Sequence, residues 1–186
     1  MTEQPAFNFG KVNFLILEEY LFISDVLSLM LKSFGIRKIH KARNWAEAKK
    51  ICEQAASEGV SEVIDFAIID LIPPNNHGLS FLNWLRNNDK TSLQYMPVIF
   101  TTNDAREKII INGRDSGANE ILVKPFTAYN VSHRLLSIIN NPRAFVKSPQ
   151  YRGPTRRRRQ KEFTGIDKRL MRSENIEIVY EKNASQ

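Results

Sequence analysis

Five short apolar runs punctuate the first 140 residues, and between them apolar side chains recur every three or four positions. That alternation constrains the fold more than any other feature of the chain. Val12–Leu17, residues 66–69 and Pro97–Thr101 read as strands buried on both faces, 36–42 as a weaker strand, and Ile121–Val123 as a fifth. Helical spacing fills the gaps. Ile23, Val26, Leu27, Met30, Leu31 and Phe34 form one stripe, which Gly35 ends. Asn44 is placed to cap a helix running to about Ser57, and further helices are expected over 78–87, 104–116 and 127–139. Strands and helices in strict alternation need right-handed crossovers, so the expected fold is α/β, a doubly wound parallel sheet covered on both faces.

In such sheets ligands bind at the carboxyl ends of the strands. Here those ends carry Glu18 and Glu19, then Asp70, then Thr102, then Lys124. Three carboxylates converging without a counter-charge would repel and raise one another's pKa values. A divalent cation and one lysine resolve that conflict, and an all-oxygen ligand set favours Mg2+ over zinc or copper. A hydroxyl and an ammonium beside such a metal make a receptor for a phosphoryl group.

The strings Phe14-Leu15-Ile16-Leu17-Glu18-Glu19, Asp70-Leu71-Ile72-Pro73-Pro74-Asn75-Asn76-His77-Gly78-Leu79, Pro97-Val98-Ile99-Phe100-Thr101-Thr102 and Lys124-Pro125-Phe126 occur in this order. Over residues 12–140 the chain resembles the receiver domain of two-component response regulators, a single-domain chemotaxis-type receiver followed by a basic tail. The resemblance implies a flavodoxin-like five-stranded sheet of order 2-1-3-4-5 with five helices. It implies a phosphorelay protein, not an enzyme, whose only chemistry is on itself: Asp70 accepts a phosphoryl group from a histidine kinase or phosphotransfer protein. Glu19 would hold Mg2+ directly, Glu18 through water, and Ile72 through its backbone carbonyl. Lys124 would pair with phosphoryl oxygens, over a cis bond to Pro125. Thr102 would turn inward to them, altering the surface of the helix at 104–116, the fifth strand and the last helix. Three positions depart from the family pattern. Both members of the acid pair are glutamate, Asn103 follows the switch hydroxyl where a small residue is usual, and Ile121 stands where the family has an aromatic switch. The alternative reading is a receiver-like scaffold that works without phosphate, its useful part being the tail.

Charge separates the chain into two parts. Residues 1–140 hold fifteen Lys/Arg and fifteen Asp/Glu, so the whole net charge of +7 lies in 141–186. The expected divisions are an N-terminal arm over 1–11, the receiver over 12–140 and a basic, partly disordered extension over 141–186. The extension is read as extended chain, with a short strand near 176–180. Arg156, Arg157, Arg158 and Arg159, near Tyr151 and Phe163, could grip phosphates and stack on bases, or meet an acidic protein. Without a helix-turn-helix pattern, sequence-specific DNA recognition is not expected. The single cysteine, Cys52, excludes a disulfide framework and suits a reducing compartment; it reads as a core residue. No membrane-length apolar run and no signal peptide are visible, so a cytoplasmic protein is expected. Phosphate-cradling glycine spacing is absent, which argues against an ATPase. Helix one carries Leu21, Phe22 and Leu29 beyond its core stripe. These side chains point either to a larger core under the N-terminal arm or to a surface for a downstream protein or a second copy.

Overall fold

The computed structural model describes residues 9–57, 63–71, 77–156 and 177–179. Strands β1 (Asn13–Leu17), β2 (Lys38–Ala42), β3 (Phe66–Asp70), β4 (Val98–Thr102) and β5 (Glu120–Val123) form one parallel sheet of order β2-β1-β3-β4-β5. Helices α1 (Leu21–Ser33), α2 (Trp45–Ala55), α3 (His77–Arg86), α5 (Glu107–Asp115) and α6 (Ala128–Asn140) are the five expected. A sixth, α4 (Thr91–Gln94), is a single turn, too short to leave a periodicity in the sequence.

Strand alternation divides the core. Leu15, Leu17, Ala67, Ile69, Val98 and Phe100 point to one face, with Ala48, Cys52, Phe81 and Leu85 packed on them from α2 and α3. Phe14, Ile16, Phe66, Ile68, Ile99 and Leu122 point to the other, beneath Leu27 and Leu31 of α1 and Val131 and Leu135 of α6. Burial of both faces explains why these strands read as continuous apolar runs. Cys52 is fully buried, and burial pushes its thiol up to about 12. Helix starts follow local chemistry. The Asn44 side chain accepts from the Glu47 amide at 2.9 Å, while the Glu47 carboxylate accepts from the Arg43 amide at 2.9 Å. Thr127 and Asn130 close a reciprocal box at α6.

The chain after α6 differs from the extended segment expected. β6 (Phe145–Ser148) and β7 (Tyr151–Pro154) form an antiparallel hairpin, and β8 (Glu177–Val179) pairs with the other edge of β6. The hairpin is built onto the amino-terminal end of the β4–β5 pair. Phe145 is 3% exposed and meets the Tyr95 ring edge-on at 4.7 Å between centroids. Arg143 donates to the carbonyls of Asn119 and Thr155. Gly117, at φ +100°, leaves room for the hairpin: a Cβ there would lie 2.8 Å from the Arg152 carbonyl oxygen. None of these partners is near in sequence, so the extension gave no local signal of its docking.

Beneath the hairpin lies Arg86, 2% exposed. Its guanidinium donates to the carbonyls of Gln94 (2.8 Å), Met96 (2.9 Å) and Gly117 (2.9 and 3.1 Å), with the Phe145 ring 5.6 Å away. One side chain thereby closes the loops that lead into β4 and β5. Arg86→Met keeps the apolar stem but strips donors from three carbonyls. We expect a loss of about 3 kcal/mol in urea denaturation. A loss below about 1 kcal/mol would mean that water replaces the guanidinium at no net cost.

Candidate functional site

Register and alternation assemble the pocket before any side chain is considered. Leu17 pairs with Ile69, Asp70 with Thr101 and Thr102 with Val123. Glu18, Asp70, Thr101 and Lys124 therefore end four neighbouring strands at one edge. They also share the strand parity of Ile16, Ile68, Ile99 and Leu122, and so the α1–α6 side of the sheet. Lys124 Nζ lies 2.8 Å from Glu18 Oε2 and 2.9 Å from Asp70 Oδ2. The Thr101 hydroxyl donates to Asp70 Oδ1 at 3.3 Å, and the Tyr20 amide to Glu18 Oε1 at 3.1 Å. All three charged side chains are buried. The Lys124–Pro125 bond is cis.

Gly78 explains the fixed spacing from Asp70 to the start of α3. A Cβ at that position would collide with the Asp70 carbonyl oxygen, so only glycine lets α3 begin against the end of β3.

The other expected site residues lie around this centre. Glu19 is exposed at the rim. Thr102 is buried, but its parity is that of Phe100, on the opposite side of the sheet, and its hydroxyl accepts from the Asp104 amide at 3.1 Å. Asn103 is exposed beside it, and Ile121 is half-buried against the α2–α3 side of the core. Ile72 and Arg157, Arg158 and Arg159 lie outside the described residues. Thr101 was not singled out from the sequence. Its signal was the alternation from Ile99, which puts residue 101 on the side where Asp70 points.

Two buried carboxylates facing one ammonium leave the pocket net negative. Burial pushes the Glu18 carboxyl above the ordinary value of 4.5; the Lys124 hydrogen bond pulls it down, and the Asp70 charge pushes it up again. Asp70 Oδ2, although 2.9 Å from Lys124 Nζ, accepts no aligned hydrogen bond. A buried anionic oxygen without an aligned donor, beside a second carboxylate, fits a hard divalent cation such as Mg2+. Among the described residues no three His, Cys, Asp or Glu side chains form a metal cluster. The protein's side chains thus offer a two-carboxylate set, of the kind Mg2+ completes with water and phosphoryl oxygens.

This balance predicts that Asp70→Asn stabilises the metal-free protein by about 1 kcal/mol at neutral pH, by leaving a matched Lys124–Glu18 pair. Because the folded Glu18 value is raised, its contribution to stability is complete below 4.5 and is lost as pH rises through that elevated value. The gain from Asp70→Asn should therefore shrink as pH falls toward 4.5, and Mg2+ should stabilise the parent more than the variant. Urea titrations across pH, with chelator or Mg2+, measure both. A variant less stable than its parent at neutral pH would overturn the charge argument.

Comparison with known proteins agrees with this fold. Residues 14–136 match the family described as the response regulator receiver domain. The chain is 23% identical to the chemotaxis protein CheY-3 of Vibrio cholerae over 125 residues, which is 67% of this chain and 89% of that one. It is 27% identical to the transcriptional regulatory protein GltR of Pseudomonas aeruginosa over 106 residues, 57% of this chain but 39% of the length of that regulator. Among solved structures, Vibrio cholerae CheY4 superposes with a TM-score of 0.58 at 21% identity, over 68% of this chain and 98% of that one. A chain of the Borrelia burgdorferi CheX–CheY complex with BeF3 and Mg superposes at 0.59 and 23% identity, over 69% of this chain and 89% of that one. At these identities the structures speak for the fold, and the family match over two thirds of the sequence carries the assignment. With this fold and this strand-end pocket, the chain belongs to the response regulator receiver domain family.

Proposed function

We propose that the protein is a phosphorelay switch in which Asp70 is the phosphoacceptor. The observation that carries this reading is the Lys124 ammonium held between Glu18 and Asp70 in a buried pocket at the sheet's carboxyl edge. The Asp70 carboxylate attacks phosphorus of a phosphohistidine. The new P–O bond forms as the P–N bond breaks, and the imidazole leaves with the electron pair. Asp70, Glu19 and the Ile72 carbonyl, with Glu18 through water, would hold Mg2+, which would supply charge neutralisation for the transferring group. Lys124 neutralises phosphoryl oxygen and Thr101 orients Asp70, so the pocket acts chiefly by positioning and electrostatics. Thr102 serves as the switch: to reach a phosphoryl oxygen it must release the Asp104 amide, which loosens the start of α5. Asn103 borders that path, and Ile121 follows the rearrangement without the polar handle of an aromatic switch. The aspartyl phosphate is lost by hydrolysis in the same pocket. Among the described residues no helix is long and apolar enough to cross a membrane.

The donor's landing surface is the exposed face of α1. Tyr20, Leu21, Phe22 and Leu29 are 57%, 58%, 79% and 65% exposed, and the patch begins two residues after Glu18. A donor helix seated there brings its phosphohistidine to the pocket mouth. Among the described residues no comparable feature supports the nucleic-acid reading of the tail.

Labelling with radioactive acetyl phosphate and Mg2+ tests the acceptor. The parent should gain a hydroxylamine-labile label that Asp70→Asn lacks and that chelator prevents. Equal labelling of both proteins, or none in either, would refute the assignment. Phe22→Asp should leave acetyl phosphate labelling unchanged and reduce transfer from a phosphohistidine protein about tenfold, as expected for loss of an apolar contact. Parallel loss of both activities would place Phe22 in the fold and not in donor docking.

A further inference from the structure

Asp70 has a buried partner that takes no part in the Thr102 rearrangement. Thr101 is fully buried, and its hydroxyl donates to Asp70 Oδ1 at 3.3 Å. The backbone fixes that hydroxyl in place. Thr101 and Asp70 are register partners across β3 and β4, and the Leu71 amide donates to the Thr101 carbonyl at 2.8 Å. Branching at Cβ restricts the Thr101 side chain further. Lys124 is held differently. Its Nζ lies 2.9 Å from the other oxygen, Oδ2, at the end of a flexible aliphatic stem. When Asp70 is phosphorylated, Lys124 turns to a phosphoryl oxygen and keeps an anionic partner. The Thr101 hydroxyl, locked beside the carboxyl carbon, loses one.

We propose that Thr101 shortens the lifetime of the phosphorylated state by favouring the free Asp70 carboxylate. The inference rests on Asp70 being the acceptor and adds the regulation of that same site. A hydroxyl bonds a carboxylate more strongly than it bonds a neutral acyl oxygen. Phosphorylation of either Asp70 oxygen therefore weakens the Thr101 bond, and loss of the phosphoryl group restores it. In that loss a water oxygen bonds to phosphorus while the P–O bond to Asp70 breaks. The electron pair returns to the carboxylate, the water gives a proton to solvent, and inorganic phosphate leaves. In a loose transition state the P–O bond is largely broken, so Asp70 already carries most of its carboxylate charge. The Thr101 bond is then near full strength at the transition state and weak only in the acyl phosphate. It accelerates hydrolysis and leaves capture of the phosphoryl group nearly unchanged.

That split between the two rates is what the experiment reads. Parent, Thr101→Val and Thr101→Ser are labelled with radioactive acetyl phosphate and Mg2+, desalted, and followed as label is lost. Valine fills the same space without the donor, and serine keeps the donor. Thr101→Val should hold its label about fivefold longer while gaining it at close to the parental rate, and Thr101→Ser should behave as the parent. The expected change is modest because 3.3 Å is long for an O–H···O bond. The ratio of lifetimes should persist when chelator is added after labelling, since the hydroxyl itself holds no metal. Equal lifetimes of parent and Thr101→Val, or a Thr101→Ser protein as slow as Thr101→Val, would overturn the proposal. So would capture and loss slowed together, which would mean that Thr101 only shapes the site. Circular dichroism confirms that each variant is folded, and Thr101→Ala, which also lacks the donor, replaces a valine variant that is not. A parent that takes no label sinks the acceptor reading and this inference with it, whereas a labelled parent with unchanged lifetimes in the variants sinks this inference alone.

Discussion

Lys124 shared between Glu18 and Asp70 is the interaction on which the rest of the site depends. Burying two carboxylates beside one ammonium is costly, and the cost is tolerable only where the three meet at hydrogen-bonding distance. That meeting needs β1, β3 and β5 in register to within a residue, with β4 between the last two. The pocket and the sheet therefore specify one another. The residual negative charge suits the pocket to a hard divalent cation.

The two ends of the sheet solve opposite problems. At the carboxyl edge, polar groups are left imperfectly satisfied, as the unaligned Asp70 Oδ2 and the raised Glu18 show. Functional pockets commonly hold this kind of unrelieved electrostatic demand. At the amino-terminal end of β4 and β5 the loop carbonyls are paired: Arg86 donates to three of them, and the hairpin with Phe145 shields it. The extension is accordingly part of the body up to Arg156, whose guanidinium lies 3.3 Å from Asp115 at the end of α5.

Much of the site was legible because its residues sit in local patterns. Glu18, Asp70 and Lys124 each follow a run of buried strand residues, and Gly78 stands where α3 must touch the backbone of Asp70. What stayed hidden depends on direction. Thr101 and Thr102 are adjacent and chemically identical, yet alternation sends Thr101 to Asp70 and Thr102 to the Asp104 amide. Glu18 and Glu19 divide likewise, one buried against Lys124 and one exposed. Nothing in the composition of either pair tells its members apart.

The sequence by itself determined the doubly wound sheet, the residues at its strand ends and the concentration of positive charge after residue 140. Each of these is written in nearest-neighbour spacing, in periods of two or 3.6, or in composition. Tertiary structure decided which hydroxyl faces Asp70, which glutamate pairs with the lysine, and that the extension folds back as a hairpin over Arg86. Those outcomes rest on contacts between residues far apart in the chain, such as Lys124 with Glu18 and Phe145 with Tyr95. Such contacts become energetically favourable only after the sheet has brought their partners together.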